Sequence, residues 1–559
     1  MPAAKKTKET DLRTLTVQVQ AQEAVLREGG GASGRARQER LGRLVARDRI
    51  EALLDKDSPW LEVGLWAGYE MYEEWGKVPA AGVLTGIGVV SGRRCMIVAN
   101  DATVKAGAFF PQTVKKVLRA QRIAFENGLP LLYLVDSSGV FLPLQDEIFP
   151  DDDDFGAIFR NNAVFSAAGL PQIAAIMGAC IAGGAYLPML CDKILMTEGS
   201  SLYLAGPALV KAAIGQDLSE EELGGATMHA TISGSIDFHE KDDPACLKRL
   251  RSLVKRLPED PPAVMAEETS TAPAKKATKT ASGKKKQSVG PSKDPEALYD
   301  LVDVAGHKLY DVHDLLACVV DAGSVDEYRP DFGQTIVCAY ADIGGRPVGI
   351  VANQRVQVTP AKGAVQMGGV IYADSADKAA RFIMDCGQTK LPLIFFQDVR
   401  GFMVGRDAEQ SGIIRSGAKL VSAVSNTESP KITVITNGSF GAGNYAMCGK
   451  GFDPRMIFAW PNAQYAVMGG AQAAKVILQI ESRQAKRRGE ELDEKAQNEL
   501  REKIEAAYEH KTDIRYGAAR GWVDAIIAPH TTRDVLIQAL ATVTRPAPQG
   551  GFRAGVLQT

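Results

Sequence analysis

Short apolar runs alternate with amphipathic stretches along most of the chain. Short runs rich in β-branched residues are typical of buried strands, whereas apolar residues three and four positions apart indicate helices. In the first half, the strand-like runs are Arg94–Ala99, Leu131–Val135 and Ile173–Met177, and the helical stretches are Pro111–Asn127 and Asp154–Ala168. This alternation predicts βαβ units and a parallel, buried sheet.

The second half repeats the order of the first. Its predicted strands and helices are, along the chain, Val348–Val351, Ser375–Cys386, Leu393–Phe396, Ser411–Ser425 and Ile432–Thr436. Residues 97–100 and 350–353 both read Ile-Val-Ala-Asn, and Leu-Pro-Leu at 129–131 recurs at 391–393. Matches that keep their order at nearly the same separation indicate the duplication of a whole domain, not a short-period repeat.

A change in composition separates the two halves. Residues 259–295 are rich in Lys, Ala, Ser, Thr and Pro and hold almost no large apolar side chain, so they cannot bury enough surface to fold. We interpret them as a solvated linker, with a basic arm for nucleic acid or another partner as the alternative. The predicted organisation is a helical N-terminal segment over 1–55, a first domain over 34–258, this linker, and a second domain over 296–546.

Charge and composition exclude several classes of protein. The chain has 559 residues with 65 basic and 67 acidic side chains, so no net field attracts it to nucleic acid or to a membrane surface. No apolar run reaches transmembrane length, and the polar N-terminus has no secretory signal. Eight cysteines without a CxxC pair predict buried free thiols in a reducing compartment, and the scattered histidines predict no metal site. The expected location is cytoplasmic, or the mitochondrial matrix if the source is eukaryotic.

Two glycine-rich turns after equivalent predicted strands are the candidate sites of chemistry. The first contains Gly183 and Gly184, and the second reads Gly441-Ala442-Gly443. Small residues let a ligand approach the backbone, and free N–H groups at a helix start can stabilise an oxyanion without an ionisable side chain. Tight packing alone is the alternative explanation for such glycines. With no GxSxG motif and no histidine nearby in sequence, a serine triad has no basis.

Longer motifs resemble the carboxyltransferase (beta) subunits of biotin-dependent acyl-CoA carboxylases, of the methylcrotonyl-CoA and propionyl-CoA type. The motifs occupy residues 97–105, 136–147, 182–186, 398–402, 412–419, 441–449 and 459–469. The resemblance runs from about residue 34 to residue 546, apart from the linker. It implies an α/β fold of two homologous crotonase-like domains. The first would bind acyl-CoA and the second carboxybiotin, in an active site shared between two subunits.

The resemblance also implies roles for individual residues. Gly183 and Gly184 would donate to the thioester oxygen, and Ala442 and Gly443 to the ureido oxygen of biotin, while CO2 moves from carboxybiotin to the α or γ carbon of the acyl-CoA. The implied CoA-binding residues are Lys105, Ala106, Gly107, Ser138 and Gly139, and the implied biotin-binding residues are Gly441, Asn444 and Tyr445.

The resemblance places biotin on another chain, because this sequence has no Ala-Met-Lys-Met attachment motif and no ATP-binding phosphate loop. The implied partners are a biotinylated alpha subunit, or a separate biotin carboxylase and biotin carrier. The implied assembly is a homo-oligomer, a hexamer in the family pattern. No metal, nucleic acid or membrane partner is expected.

Several alternatives stay open at this point. Asp136 and Asp398 end equivalent strands, where capping of the following loop explains them as well as catalysis does. Ser138 and residues 205–208 depart from the methylcrotonyl pattern, and Tyr445 replaces an Asp of the propionyl type, so a branched or unsaturated acyl chain is favoured over propionyl. The alternative functions are an ion-pumping decarboxylase of the glutaconyl-CoA type, a crotonase hydratase or isomerase, and a non-catalytic scaffold subunit.

Overall fold

The computed structural model of the chain describes residues 12–258, 289–303, 306, 308–361, 363–487, 493–520 and 522–543. The start of the predicted N-terminal helical segment, the linker up to residue 288 and the last residues of the predicted second domain lie outside this part. All statements below refer to the described residues.

The first half contains eight strands and ten helices. The strands are β1 Leu61–Val63, β2 Val83–Val90, β3 Arg93–Asn100, β4 Leu131–Ser137, β5 Gln172–Ile181, β6 Lys193–Thr197, β7 Ser201–Tyr203 and β8 Phe238–Glu240. The helices are α1 Leu12–Arg27, α2 Gly31–Arg40, α3 Ala46–Leu53, α4 Pro111–Glu126, α5 Phe155–Ala167, α6 Tyr186–Met189, α7 Pro207–Ile214, α8 Glu220–Gly224, α9 Ala226–Met228 and α10 Asp243–Lys255.

The described part of the second half contains ten strands and ten helices. The strands are β9 Asp326–Glu327, β10 Ile336–Ile343, β11 Arg346–Asn353, β12 Val370–Ile371, β13 Leu393–Val399, β14 Gly401–Phe402, β15 Lys431–Phe440, β16 Met456–Ala459, β17 Gln464–Ala466 and β18 Ala525–Ile526. The helices are α11 Leu298–Leu301, α12 Val312–Val319, α13 Ala373–Thr389, α14 Arg406–Gln410, α15 Ile413–Asn426, α16 Gly441–Ala446, α17 Gly470–Arg487, α18 Glu494–Thr512, α19 Ile514–Ala518 and α20 Thr532–Val543.

The two halves build the same sheet. The first sheet has the order β1-β2-β3-β4-β5-β6-β8 with β7 beside the end of β5, and the second has β9-β10-β11-β13-β15-β16-β18 with β17 beside the end of β15. In both, the strands from the third onward are parallel. The shared order shows the duplication in three dimensions. It also places the ends of β5 and β15 at the carboxyl edge of each sheet, where ligands bind in open α/β sheets.

One edge of each sheet is antiparallel, which the prediction of a purely parallel sheet missed. β2 and β3 form a hairpin through Ser91 and Gly92, and β10 and β11 form one through Gly344 and Gly345. All four turn residues have positive φ, between 51° and 80°. This backbone is the one that a two-residue hairpin turn requires, because its twist matches the twist of the strands.

The predicted strands and helices of both halves are confirmed, with ends shifted by at most a few residues. The helical prediction over 1–55 corresponds to three separate helices, α1 to α3, in the described portion. The antiparallel pair α17 and α18 was not predicted. Residues 289–295, counted with the linker from sequence, contact the second half: the Lys293 N–H donates to the Ala317 carbonyl at 3.0 Å.

The main apolar core crosses from one half to the other. It unites side chains of α4, α5 and β5 with side chains of α13, α15 and β15. The Tyr465 hydroxyl donates to the Pro150 carbonyl at 2.9 Å, and the Tyr445 hydroxyl to the Phe149 carbonyl at 3.3 Å. All eight cysteines are free, and only Cys191 is partly exposed, as the sequence predicted.

Within the described ranges, no helix combines the length and the apolarity that crossing a bilayer requires.

Candidate active site

The two glycine-rich turns have the same backbone. β5 ends with Ile181 at φ −121° and ψ 147°, and β15 ends with Phe440 at φ −118° and ψ 139°. The next residue, Ala182 or Gly441, adopts φ +56° in both turns, and a helical turn follows. Two turns with matching dihedral angles at equivalent strand ends indicate that both halves kept the turn conformation of one ancestral domain.

The first N–H groups of each helical turn have no intrahelical acceptor, because the residues four positions earlier lie in the strand. In the first turn these groups belong to Gly183 and Gly184, and in the second to Ala442 and Gly443. A Cβ added at Gly184 would meet no atom within 4 Å, so the backbone here is open to a ligand. A Cβ at Gly443 would lie 2.6 Å from Cγ2 of Val399, so this glycine is also needed for packing.

The predicted CoA-binding residues gather beside the first turn. Lys105, Ala106 and Gly107 all have positive φ, and the Ala106 carbonyl accepts from the Ser138 N–H at 3.1 Å. A Cβ at Gly139 would lie 3.1 Å from the Ile181 carbonyl oxygen, at the start of the turn. The structure therefore brings two loops, distant in sequence, against the backbone that holds Gly183 and Gly184.

The Lys105 side chain is exposed and its Nζ donates to the Trp75 carbonyl. The ammonium group is thus held at the rim of the loop and not directed into the interior. That position is compatible with a phosphate of CoA, which a lysine attracts as a point charge. The contact with CoA itself stays a prediction.

The side chains of Asn444 and Tyr445 point into the protein. Asn444 Nδ2 donates to Ser439 Oγ at 2.7 Å, and the Tyr445 ring packs against Phe149 with a centroid distance of 5.0 Å. Both residues are at most 3% exposed. Any contact of these two residues with biotin would therefore involve the backbone, as it would at Gly441. Tyr186, after the first turn, is buried in the same way.

Asp136 and Asp398 form buried ion pairs at equivalent strand ends. Asp136 Oδ2 lies 3.1 Å from Arg49 Nη1, and Asp398 Oδ2 lies 2.9 Å from Arg355 Nε. In each aspartate the other oxygen accepts an N–H of the neighbouring strand, β5 or β15, at 3.2 Å. A carboxylate with this set of partners fixes the strand before the turn, which supports the structural explanation over the catalytic one.

Sequence reasoning missed one polar residue close to the first turn. Glu409 on α14 is 1% exposed, and its Oε1 accepts from the Leu204 N–H in the other half at 2.8 Å. Burial raises the pKa of this carboxyl group to about 8. Glu409 lies between the motifs at 398–402 and 412–419, so no sequence signal marked it as part of either site.

The comparison with known families decides to which family the chain belongs. The sequence profile of the carboxyl transferase domain matches residues 37–548, which includes both turns and both sheets. The chain belongs to the carboxyl transferase family. The fold class predicted from sequence, α/β with two crotonase-like domains, is confirmed, since the structure shows two equivalent parallel-rich sheets.

Individual carboxyl transferases match almost the whole chain. The probable mitochondrial methylcrotonoyl-CoA carboxylase beta chain of Drosophila melanogaster is 43% identical over 543 residues, which is 96% of this chain and 89% of the relative. The biotin-dependent 3-methylcrotonyl-coenzyme A carboxylase beta1 subunit of Mycobacterium tuberculosis is 43% identical over 527 residues, 94% of this chain and 93% of the relative. The beta subunit of Pseudomonas aeruginosa geranyl-CoA carboxylase, a crystal structure, aligns over 99% of both chains with 32% identity and a TM-score of 0.43.

This carboxyl transferase is an enzyme of the biotin-dependent acyl-CoA carboxylases, as the motifs predicted. The carboxylase relatives favour this function over the decarboxylase alternative. A CoA ester is the substrate class of the family, and biotin is its cofactor. The roles of individual residues in binding either group stay predictions.

Proposed function

We propose that this carboxyl transferase transfers CO2 to a branched, unsaturated acyl-CoA of the methylcrotonyl class. Three relatives at 43% identity are all named as methylcrotonyl-CoA carboxylase beta subunits, and their matches cover at least 94% of this chain and 85% of each relative. The departures at Ser138 and at residues 205–208 leave the acyl chain open from the sequence, whereas Tyr445, in place of an Asp of the propionyl type, disfavours the propionyl class. The observation that carries the substrate class is the near-full-length identity to methylcrotonyl-CoA carboxylase beta subunits, and the pair of turns with matching backbone supports the transfer step.

The first turn would act on the acyl-CoA. The N–H groups of Gly183 and Gly184 would donate to the thioester oxygen, whose negative charge grows when the substrate loses a proton. Donors held in place before the reaction stabilise such a charge without reorganisation, and one donor contributes about 3–4 kcal/mol in measured cases. The loops at 105–107 and 138–139 would hold the CoA portion, because they lie against this turn.

The second turn fits the ureido group of biotin. The N–H groups of Ala442 and Gly443, which lie in the first helical turn after Gly441, would donate to the ureido oxygen. When bound there, carboxybiotin supplies the CO2 of the reaction. Proximity of the two turns in the assembly would let the chain exclude water from the reacting carbon.

The assembly and the domain limits belong to the same proposal. A biotinylated partner chain, or a biotin carboxylase with a separate carrier, would deliver carboxybiotin, and the chain would form a hexamer with sites between subunits. We retain the domain limits 34–258 and 296–546, a cytoplasmic or mitochondrial location, and a reaction without a metal bound to this chain.

The experiment pairs the purified chain with its biotinylated partner and measures ATP-dependent bicarbonate fixation on acetyl-, propionyl-, methylcrotonyl-, geranyl- and glutaconyl-CoA. We expect the highest kcat/KM on methylcrotonyl-CoA. The variant Ala442→Pro removes one proposed donor but no intrahelical bond, because proline is tolerated in the first helical turn. Its kcat should fall about 100- to 1,000-fold.

The matched control is Ala442→Ser, which keeps the N–H group and should retain nearly full activity. Both variants should melt at the temperature of the wild type and keep its oligomeric state. A fully active Ala442→Pro variant would contradict the assignment of the second turn. Preference for a straight-chain ester would contradict the substrate class and leave the assignment of the turn intact.

A further inference from the structure

Glu409 joins the two halves of the chain at the first turn. Its carboxyl group lies on α14 of the second half, and Oε1 accepts a hydrogen bond from the Leu204 N–H of the first half at 2.8 Å. Leu204 directly follows β7, which pairs with the last residues of β5 just before the turn. Oε2 is also buried, and in the described part of the chain it has no hydrogen-bond partner.

A second unsatisfied polar atom lies nearby. The hydroxyl of Tyr186, two residues after Gly184, is fully buried and has no partner among the residues that the structure describes. Burial raises the pKa of this hydroxyl, and the Glu409 carboxyl group is close enough for its negative charge to raise it further. Neither the Tyr186 hydroxyl nor Oε2 of Glu409 has a hydrogen-bond partner among the described residues, so the two groups do not bond each other in this structure. An ionised Glu409 would therefore lack a donor at Oε2.

The surroundings of Glu409 provide no counter-ion. The elements packed against α14 are α8, the turn at His229–Ser233 and α15. Their charged or titratable side chains, together with those on α14 itself, are Glu220, Glu221, Glu222, His229, Arg415, Lys419, Arg406 and Asp407. Within the described ranges, none of these forms an ion pair with Glu409. We therefore expect its carboxyl group to stay protonated and neutral, since an isolated buried charge is strongly unfavourable.

We propose that Glu409 is a positioning residue for the acyl-CoA turn and acts as a neutral carboxylic acid. Oε1 accepts from the Leu204 N–H, and Oε2, which no donor among the described residues contacts, carries the proton. One side chain of the second half then holds the end of β7, which pairs with β5 directly before the turn that contains Gly183 and Gly184. This inference rests on the proposed function, which assigns those glycines to the thioester oxygen.

The test uses the full chain with its biotinylated partner and compares Glu409→Gln, Glu409→Leu and the control Asp407→Asn. Glutamine keeps one acceptor and one donor but cannot ionise. Leucine removes the contact with Leu204. Asp407 is exposed on the same helix, so its amide variant should behave as the wild type. The measured quantities are kcat and KM for the acyl-CoA between pH 6 and pH 9.5.

We expect the wild type to lose kcat on the alkaline side, as Glu409 ionises near pH 8. Glu409→Gln should keep the rate at pH 7 and lack this alkaline decline. Glu409→Leu should lower kcat about 10- to 100-fold with a smaller change in KM, because misplaced donors weaken the transition state more than substrate binding. An unchanged kcat in Glu409→Leu, or the same alkaline decline in Glu409→Gln, would overturn the proposal.

A second readout needs no activity. The carboxyl pKa is raised on folding from 4.5 to about 8, so the wild type should lose stability relative to Glu409→Gln as pH rises through this interval. The difference in Tm between the two proteins should grow accordingly, and a difference independent of pH would overturn the neutral carboxyl group. Failure of the wild type to carboxylate any acyl-CoA would instead contradict the proposed function, and the Tm readout would still decide the state of Glu409.

Discussion

At the scale of single residues, the buried Arg49 joins the elements that lie below the first turn. Arg49 lies 3.1 Å from Asp136 and 2.9 Å from Asp243, and its Nη2 donates to the Met177 carbonyl at 2.8 Å. The guanidinium group thus ties α3, β4, β5 and the start of α10 together below the first turn. Fully paired charges of this kind are tolerated in a core, but removal of one partner leaves the other uncompensated.

Asp136→Ala should therefore reduce the free energy of unfolding by about 3–5 kcal/mol, because Arg49 loses a buried partner. Urea denaturation followed by circular dichroism measures this change. The control Asp152→Ala removes an exposed carboxylate and should change stability by less than about 0.5 kcal/mol. If Asp136→Ala kept the stability of the wild type but lost all activity, the aspartate would be catalytic and our structural explanation wrong.

At the scale of elements, a histidine links the start of α12 to the edge strand β9. His313 Nδ1 lies 2.6 Å from Asp311, the N-cap residue of the helix, and Nε2 lies 2.8 Å from Glu327. The hydrogen bond with Glu327 is the largest cause that raises the pKa of His313 to about 9. Burial opposes this rise, and the hydrogen bond with Asp311 adds to it. At neutral pH the imidazolium form therefore links the start of α12 to β9 through these two contacts.

His313→Gln should destabilise the protein below pH 6.5 and have a decreasing effect as pH rises through about 9, because the folded chain holds the histidine proton more tightly than the unfolded chain. The loss should be no more than about 1 kcal/mol, since the ring is partly exposed and solvent screens the pair. Thermal melts from pH 6 to pH 10 measure it. In a Glu327→Gln background the same substitution should show a much weaker pH dependence. An unchanged pH dependence would refute the link between His313 and Glu327.

At the scale of the whole molecule, the halves are joined by packing as well as by the chain. One apolar core crosses between them, and Lys511 and Tyr516 of the second half contact Asp146 of the first at 2.8 and 2.6 Å. A continuous core couples the unfolding of its parts. The linker, by contrast, has a composition that cannot contribute a core of its own.

Deletion of residues 270–286 should therefore leave Tm and carboxylation unchanged, and calorimetry should show one unfolding transition for both proteins. Tyr465→Phe removes a hydrogen bond between the halves and should lower the free energy of unfolding by about 1 kcal/mol. Its calorimetric transition should shift to a lower temperature and remain single. Two separated transitions, or loss of activity in the deletion variant, would show that the linker does more than connect.

The sequence was sufficient to predict the strands and helices that a local pattern of apolar residues marks. The strands that became β4 and β13 were predicted because continuous apolar runs between turn signals indicate buried strands. The hairpin strands β2 and β10 were missed, although Ser91-Gly92 and Gly344-Gly345, which follow them, are local turn signals between two apolar runs. The pair α17 and α18 was also missed, because it adds an extension that the first half does not repeat.

The parts of the candidate site that lie in sequence motifs were predicted, and the contacts between distant residues were not. Sequence alone located both glycine-rich turns and, through resemblance, the family and its chemistry, which the comparisons confirm. It could not distinguish an available side chain from a buried one, so the inward orientation of Asn444 and Tyr445 appeared only with the fold. It also could not pair Glu409 with Leu204, which is 205 positions away along the chain.

The sequence by itself therefore determined the duplication, the main strands and helices of each half, and the position of the two glycine-rich turns. These features depend on residue types at short spacing, which local sterics and hydrophobic periodicity translate directly into structure. Only the tertiary structure decided which loops meet the first turn, which carboxylates are neutralised by arginines, and which acid of one half reaches the other. Those contacts depend on long-range packing, where burial and partner, more than residue type, set the role of each side chain.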